Sequence, residues 1–154
     1  MNLIDKILLE AKNIIDFNLL QKQVMAFREG MEENNDWSSD KECFKGTCQD
    51  ETKYLEKYLK EIGYNAIRTR GYYSGAGDDF WPNASEWDER DCNIFRKQHS
   101  NNNDSSNGLK FPHWWVEIDN KIIIDVTEDQ FHPGDENNYR VGIYKKPNSD
   151  YKKG

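Results

Sequence analysis

Phe111-Pro112-His113-Trp114-Trp115-Val116-Glu117-Ile118-Asp119-Asn120-Lys121-Ile122-Ile123-Ile124-Asp125-Val126-Thr127 holds two β-rich runs separated by a turn signal at Asp119-Asn120, the pattern of a β-hairpin. Trp114, Val116, Ile122, Ile124 and Val126 are all apolar, and a strand pairing that serves them puts the set on one buried face. A two-residue loop pairs Trp114 with Asp125 and splits that set, whereas a three-residue loop, Ile118 to Asn120, keeps it together. Asn120 suits the left-handed position of such a loop. In that register His113 lies directly opposite Asp125 on the second face, with Cβ atoms roughly 4.5–5.5 Å apart. Trp115 and Ile123 share this second face, which is therefore expected to be covered as well.

The expected cover is a helix. Leu55, Tyr58, Leu59 and Ile62 recur at three- and four-residue spacing, charged residues fill the other positions, and Gly63 follows as a C-terminal stop. Thr47 with Asp50 three residues on resembles a capping box, which makes Cys48 the first helical residue. A sulfur there faces unpaired N–H groups and the positive end of the helix dipole, and both favour the reactive thiolate. If this helix covers the second face, Cys48, His113 and Asp125 converge. The roles that follow are Cys48 as nucleophile, His113 as base and then acid, and Asp125 as the group that holds the histidine tautomer. Taken singly, each residue also has a plain structural reading; a cysteine near a helix start is more often a small buried hydrophobe.

Gly46-Thr47-Cys48 heading a helix, followed by His113-Trp114-Trp115-Val116-Glu117 and Ile124-Asp125-Val126-Thr127 on consecutive strands, resembles the transglutaminase-like branch of the papain-like cysteine enzymes. That group also includes arylamine N-acetyltransferase-like proteins and several bacterial deamidase toxins. The resemblance spans residues 44 to 131, with Glu128-Asp129-Gln130-Phe131 as the continuation after the aspartate. It implies an α+β papain-like or transglutaminase-like fold: N-terminal helices, and the nucleophile-bearing helix packed on an antiparallel sheet. It also implies attack on amide or thioester carbonyls, as in a protease, amidase, deamidase or transglutaminase, with no cofactor and no metal. The chain departs from papain-type proteases in one respect, since Ser38 to Lys45 contains no glutamine to serve an oxyanion hole. That role falls to the Cys48 backbone N–H with Gln49, Gln21, Gln23 or Trp37, and Trp115 is a further residue expected to face substrate.

At 154 residues the chain is read as one domain, with a helical part over 1–43, a catalytic core over 44–144 and a loose tail over 145–154. Five Trp, eight Tyr and seven Phe supply core material despite low hydropathy. A net charge of −7 argues against nucleic acid as a partner. Three cysteines do not suggest a disulfide framework. Acidic and basic residues interrupt the apolar N-terminal stretch, so no signal peptide is expected, and no run reaches membrane-span length. The expected setting is cytoplasmic, with leaderless export as an effector an alternative. Expected partners are a protein, a peptide or a small amide or thioester substrate.

Residues 2 to 31 read as one or two core helices, Tyr64 to Arg70 as a strand, Gly71 to Gly77 as a glycine-rich loop without phosphate-loop spacing, and Tyr139 to Tyr144 as a last strand. His132 and His99 are alternative bases. Two other functions stand beside the enzyme. One is an inactive papain-like binding or inhibitory protein. The other is a metal site of Cys43, Cys48, His113 and an acid, which lacks a second closely spaced Cys/His pair.

Overall fold

The structure, a computed structural model, describes residues 2–4, 15–35, 48–77, 80, 89–90, 93 and 109–154. Its architecture is α+β: among the described residues the helices α1 (Phe17–Asn35) and α2 (Cys48–Glu61) accompany an antiparallel curled five-stranded sheet. The strands are β1 (Ala66–Tyr73), β2 (Phe111–Ile118), β3 (Ile122–Asp125), β4 (Gly142–Lys145) and β5 (Tyr151–Lys153), in the order β4-β3-β2-β1-β5. No helix among the described residues is long and apolar enough to cross a membrane.

Asp16 starts α1, its carboxylate accepting from the Leu19 N–H at 3.1 Å and so satisfying one of the first-turn donors. The helix runs to Asn35, beyond the expected span; residues 5–14 lie outside the described set. Helix α2 begins at Cys48 and ends as anticipated. Gly63 takes φ 108°, and the Gly63 and Tyr64 N–H groups close back on Lys60 O and Leu59 O, the paired bonds of a Schellman motif. The proposed Thr47 cap lies outside the described residues.

Both helices pack on one face of the sheet. Leu20 and Val24 of α1 and Leu55 and Leu59 of α2 are fully buried against Ala66, Val116, Ile118, Ile122, Ile124 and Val126. Ile62, expected in the stripe, is 40% exposed because the helix has already ended at Glu61. The other face carries a second, aromatic core of Tyr73, Phe80, Phe111, Trp115, Phe131 and Tyr151, with Leu109 and Ile123. With both faces covered, the hairpin needs apolar groups on both sides, hence the unbroken Ile122-Ile123-Ile124 run.

Three expectations about strand bounds are corrected. β1 continues through Gly71 to Tyr73 instead of yielding to a loop. Tyr151–Lys153, expected in a loose tail, is a strand on the β1 edge, pairing Gly71 with Lys153 and Tyr73 with Tyr151. Burial of the Tyr151 ring among aromatic neighbours holds it there. Gly71 permits the close approach, since a Cβ would lie 2.0 Å from Lys152 O and 2.5 Å from the Trp115 ring. The last expected strand shortens to Gly142–Lys145, with Tyr139 in a 3-10 turn over Glu136–Tyr139.

Candidate functional site

The hairpin loop has three residues, as expected, but they are Asp119, Asn120 and Lys121. Asp119 and Asn120 take φ 53° and 54°, and the Lys121 N–H closes the turn on Ile118 O at 2.9 Å. Ile118 consequently pairs with Ile122 and Val116 with Ile124. This register differs by two residues from the anticipated one. A shift of two preserves every side chain's face, so the buried set survives, but His113 and Asp125 become diagonal neighbours instead of facing directly. A histidine spans the diagonal: His113 Nε2 lies 2.7 Å from Asp125 Oδ2. Because the carboxylate accepts, Nε2 carries the hydrogen and Nδ1 carries the lone pair, making Nδ1 the basic nitrogen.

Asp125 is fully buried and has further donors. The Thr127 N–H reaches Oδ1 at 3.0 Å, and the Tyr151 hydroxyl reaches Oδ2 at 2.9 Å. His113 is 1% exposed, with the edge of Phe131 4.8 Å away between ring centroids and Tyr73 and Trp115 on its other sides. These groups leave the imidazole one orientation.

The expectation that α2 covers this face is overturned. Leu55 and Leu59 pack on the aliphatic face, while His113 and Asp125 lie on the aromatic one. Strand parity states which residues share a face but not which face receives the helix; here the aliphatic stripe matches the leucines, and the aromatic rings cover one another. Two hydrogen bonds tie α2 to Arg68 of β1. Arg68 donates through Nε to Thr52 Oγ1 at 3.1 Å and through its backbone N–H to the Glu56 carboxylate. The side chains of Cys48 and Gln49, together with Trp37, Cys43 and His99, lie outside the described residues.

Trp115, expected to face substrate, is buried and donates its Nε1–H to Glu117 Oε2 at 2.9 Å. Burial pushes the Glu117 carboxyl up, but hydrogen bonds from Lys146 and Trp115 outweigh it and hold it below the ordinary range. Gln23 accepts from the Tyr64 hydroxyl, and Gln21 is exposed. His132, the reserve base, stacks flat on Tyr139 at 3.4 Å, with Nε2 2.7 Å from the Tyr73 hydroxyl. Burial lowers its affinity for a proton.

Scans against protein-family models, curated proteins and solved structures return no match. The case for a site therefore rests on the geometry and on the residue pattern.

Several polar residues in this region carry no signal in the local sequence. Arg28 of α1, 3% exposed, makes a paired bond to Asp129 (3.1 and 2.7 Å), donates to Val126 O and Arg140 O, and meets Glu32 through Nε at 2.8 Å. It clamps the segment that follows Asp125. Glu51 is buried on α2 one turn from Cys48, and among the described residues no donor reaches its Oε2. Burial first, with Asp50 adding and Arg28 opposing, pushes its carboxyl up to about 7. A folded-state value above the unfolded one means that the stability it lends is complete below about pH 4.5 and is lost as pH rises through about 7. Glu51→Gln is expected to cancel that loss. Urea unfolding at about pH 5 and about pH 8 should show wild-type stability falling by about 2 kcal/mol more than the variant's. Equal pH dependence in the two proteins would refute the assignment.

Proposed function

We propose that the chain is a papain-like, transglutaminase-like cysteine hydrolase or acyltransferase in which Cys48 is the nucleophile, His113 the base and then the acid, and Asp125 the group that orients the imidazole. The observation that carries this reading is the buried 2.7 Å bond between His113 Nε2 and Asp125 Oδ2. Nδ1 of His113 takes the thiol proton, the thiolate attacks an amide or thioester carbonyl, and the tetrahedral intermediate collapses to an acyl-enzyme. In that collapse His113 returns the proton to a leaving amine. Water, or an acceptor amine, then resolves the thioester. All atoms of the reaction come from the protein, the substrate and water, so the chemistry needs no metal or organic cofactor. Acidic charge on the chain suits a protein or peptide substrate with basic residues near the reacting carbonyl.

A second reading, a retained fold that binds or inhibits without turnover, draws on the burial of His113 and on the packing of α2 against the opposite face. In the enzyme, the sulfur must meet the imidazole round the end of the sheet. The test is the rate of Cys48 alkylation by iodoacetamide across pH, resolved by mass spectrometry against Cys43 and Cys92. For the enzyme, Cys48 is expected to react with an apparent pKa well below about 8.5, and His113→Ala is expected to move it back up. A Cys48 that matches its neighbours and ignores His113→Ala, in wild type and after partial unfolding to expose it, selects the binding protein.

A further inference from the structure

The Asp125 pair is not isolated. Glu128, three residues on in the 3-10 turn Glu128–Phe131, is 2% exposed and points into the same aromatic face. Its Oε2 accepts from the Tyr73 hydroxyl of β1 at 2.6 Å, and its Oε1 accepts from the Tyr144 hydroxyl of β4. The Tyr151 hydroxyl of β5, which donates to Asp125, stands beside Glu128 as well. Space for the carboxyl is built in at Gly142, the β4 partner of Asp125, where a Cβ would lie 2.5 Å from Glu128 Oε1. The Tyr73 oxygen is also 2.7 Å from His132 Nε2. A chain of short contacts therefore runs His132, Tyr73, Glu128, Tyr151, Asp125, His113, with every member but His113 and Asp125 outside the roles assigned above.

We infer that Glu128 is a positioning residue for the His113–Asp125 pair: it holds a proton beside Asp125 and exchanges it with His132 through Tyr73. The inference rests on the reading of His113 as the working base. Two carboxyls in one dry cluster do not both carry charge cheaply, and the donors supplied to Glu128 are phenols, which bring hydrogen bonds but no compensating charge. Asp125 has four donors, the imidazole, the Tyr151 hydroxyl and the N–H and hydroxyl of Thr127. Glu128 is the carboxyl left to keep the proton.

The heavy atoms serve both states without moving. With Glu128 protonated, its O–H donates to the Tyr73 oxygen, and the Tyr73 O–H donates to an unprotonated His132 Nε2. When the proton leaves, the Glu128 O–H bond breaks, a new O–H bond forms on Tyr73 as that phenol's own proton passes to His132 Nε2, and Glu128 becomes the acceptor. Charge balances, since a neutral acid and a neutral imidazole become a carboxylate and an imidazolium. Glu128 is pushed up to about 7, chiefly by burial and then by Asp125, so its proton leaves the cluster for solvent in the neutral range, and His132, which burial makes a weak base, passes the proton on. The groups facing this pair from each packed element are Tyr73, Asp125, Tyr144 and Tyr151 on Glu128, with Asp135 and Asp150 acting on His132. Above the transition the added charge beside Asp125 favours the His113 imidazolium.

The test is the pH course of the His113 and His132 ring signals in the full chain, by heteronuclear NMR from about pH 5 to about pH 9. In wild type, His113 is expected to show an inflection near 7 from Glu128, and Glu128→Gln is expected to abolish it while the fold persists. Tyr73→Phe is expected to leave that inflection on His113 and to remove it from His132. Superimposable His113 curves in wild type and Glu128→Gln overturn the proposal. Should Glu128→Gln fail to fold, the Cδ signal of Glu128 in wild type decides: a midpoint near 7 upholds the assignment, and one near 4.5 overturns it. The histidine readout does not depend on the thiol. An inert Cys48 with the inflection present removes the enzyme and keeps the proton site; a reactive Cys48 without it does the reverse.

Discussion

Arg28→Met is expected to cost about 3–5 kcal/mol of unfolding free energy, the range for removing one partner of a buried ion pair. The guanidinium is 3% exposed and meets four separate groups: the Asp129 carboxylate, the Glu32 carboxylate and the carbonyls of Val126 and Arg140. Methionine fills the volume but leaves Asp129, itself buried, without its counter-charge, so the cost is the desolvated carboxylate more than the lost attraction. Arg28→Met with Asp129→Leu removes both charges and is expected to recover most of the loss. Chemical denaturation of the two single variants and the double variant gives the coupling directly. A double variant no better than Arg28→Met would mean that the two carbonyl bonds, not the ion pair, hold the segment after Asp125.

Asp125→Asn is expected to have the largest effect on chemistry. Asp125 accepts from His113 Nε2, the Tyr151 hydroxyl and the Thr127 N–H. An amide cannot take all three, because whichever way it is turned its NH2 faces a donor. If the NH2 faces His113, the imidazole must move its hydrogen to Nδ1 and surrender the basic nitrogen the mechanism uses. On any substrate cleaved through Cys48, kcat is expected to fall by about 10⁴-fold, the scale set by tautomer loss in a catalytic triad. The ring nitrogens of His113 supply an independent readout by NMR. Retention of the Nε2–H tautomer in Asp125→Asn would remove Asp125 from its orienting role whatever the activity did.

The hairpin was legible because its signal is local. Five apolar residues at period two identify a face, Asp119-Asn120 identifies a turn, and a three-residue loop follows from keeping that face whole. The register was misjudged by two residues, a shift to which parity is blind, and hence His113 and Asp125 meet diagonally. The end of α2 was equally local, since Gly63 relieves the left-handed strain at the stop. By contrast, the C-terminal segment looked loose. Tyr151 gains its place from Tyr73, Trp115 and Asp125, residues 26 to 78 positions away, and no neighbour of Tyr151 in sequence carries that information.

Arg28, Glu51 and Glu128 were illegible for the same reason. Each is a charged residue in a polar stretch, and a charged residue in such a stretch is ordinarily solvated. Their burial depends on which surfaces meet: α1 with the segment after β3, α2 with the sheet, and the 3-10 turn with Tyr73 and Tyr144. By itself the sequence determined the helix that Cys48 opens, the hairpin, and the shared face of His113 and Asp125, because the 3.6- and 2-residue periods of apolar side chains are properties of short segments. Tertiary structure alone decided that α2 lies on the face away from that pair and that Glu128, Tyr73 and Tyr151 close around it. Those outcomes turn on matching an aliphatic stripe to leucines and aromatic rings to one another, a competition between surfaces that exists only once the segments are brought together.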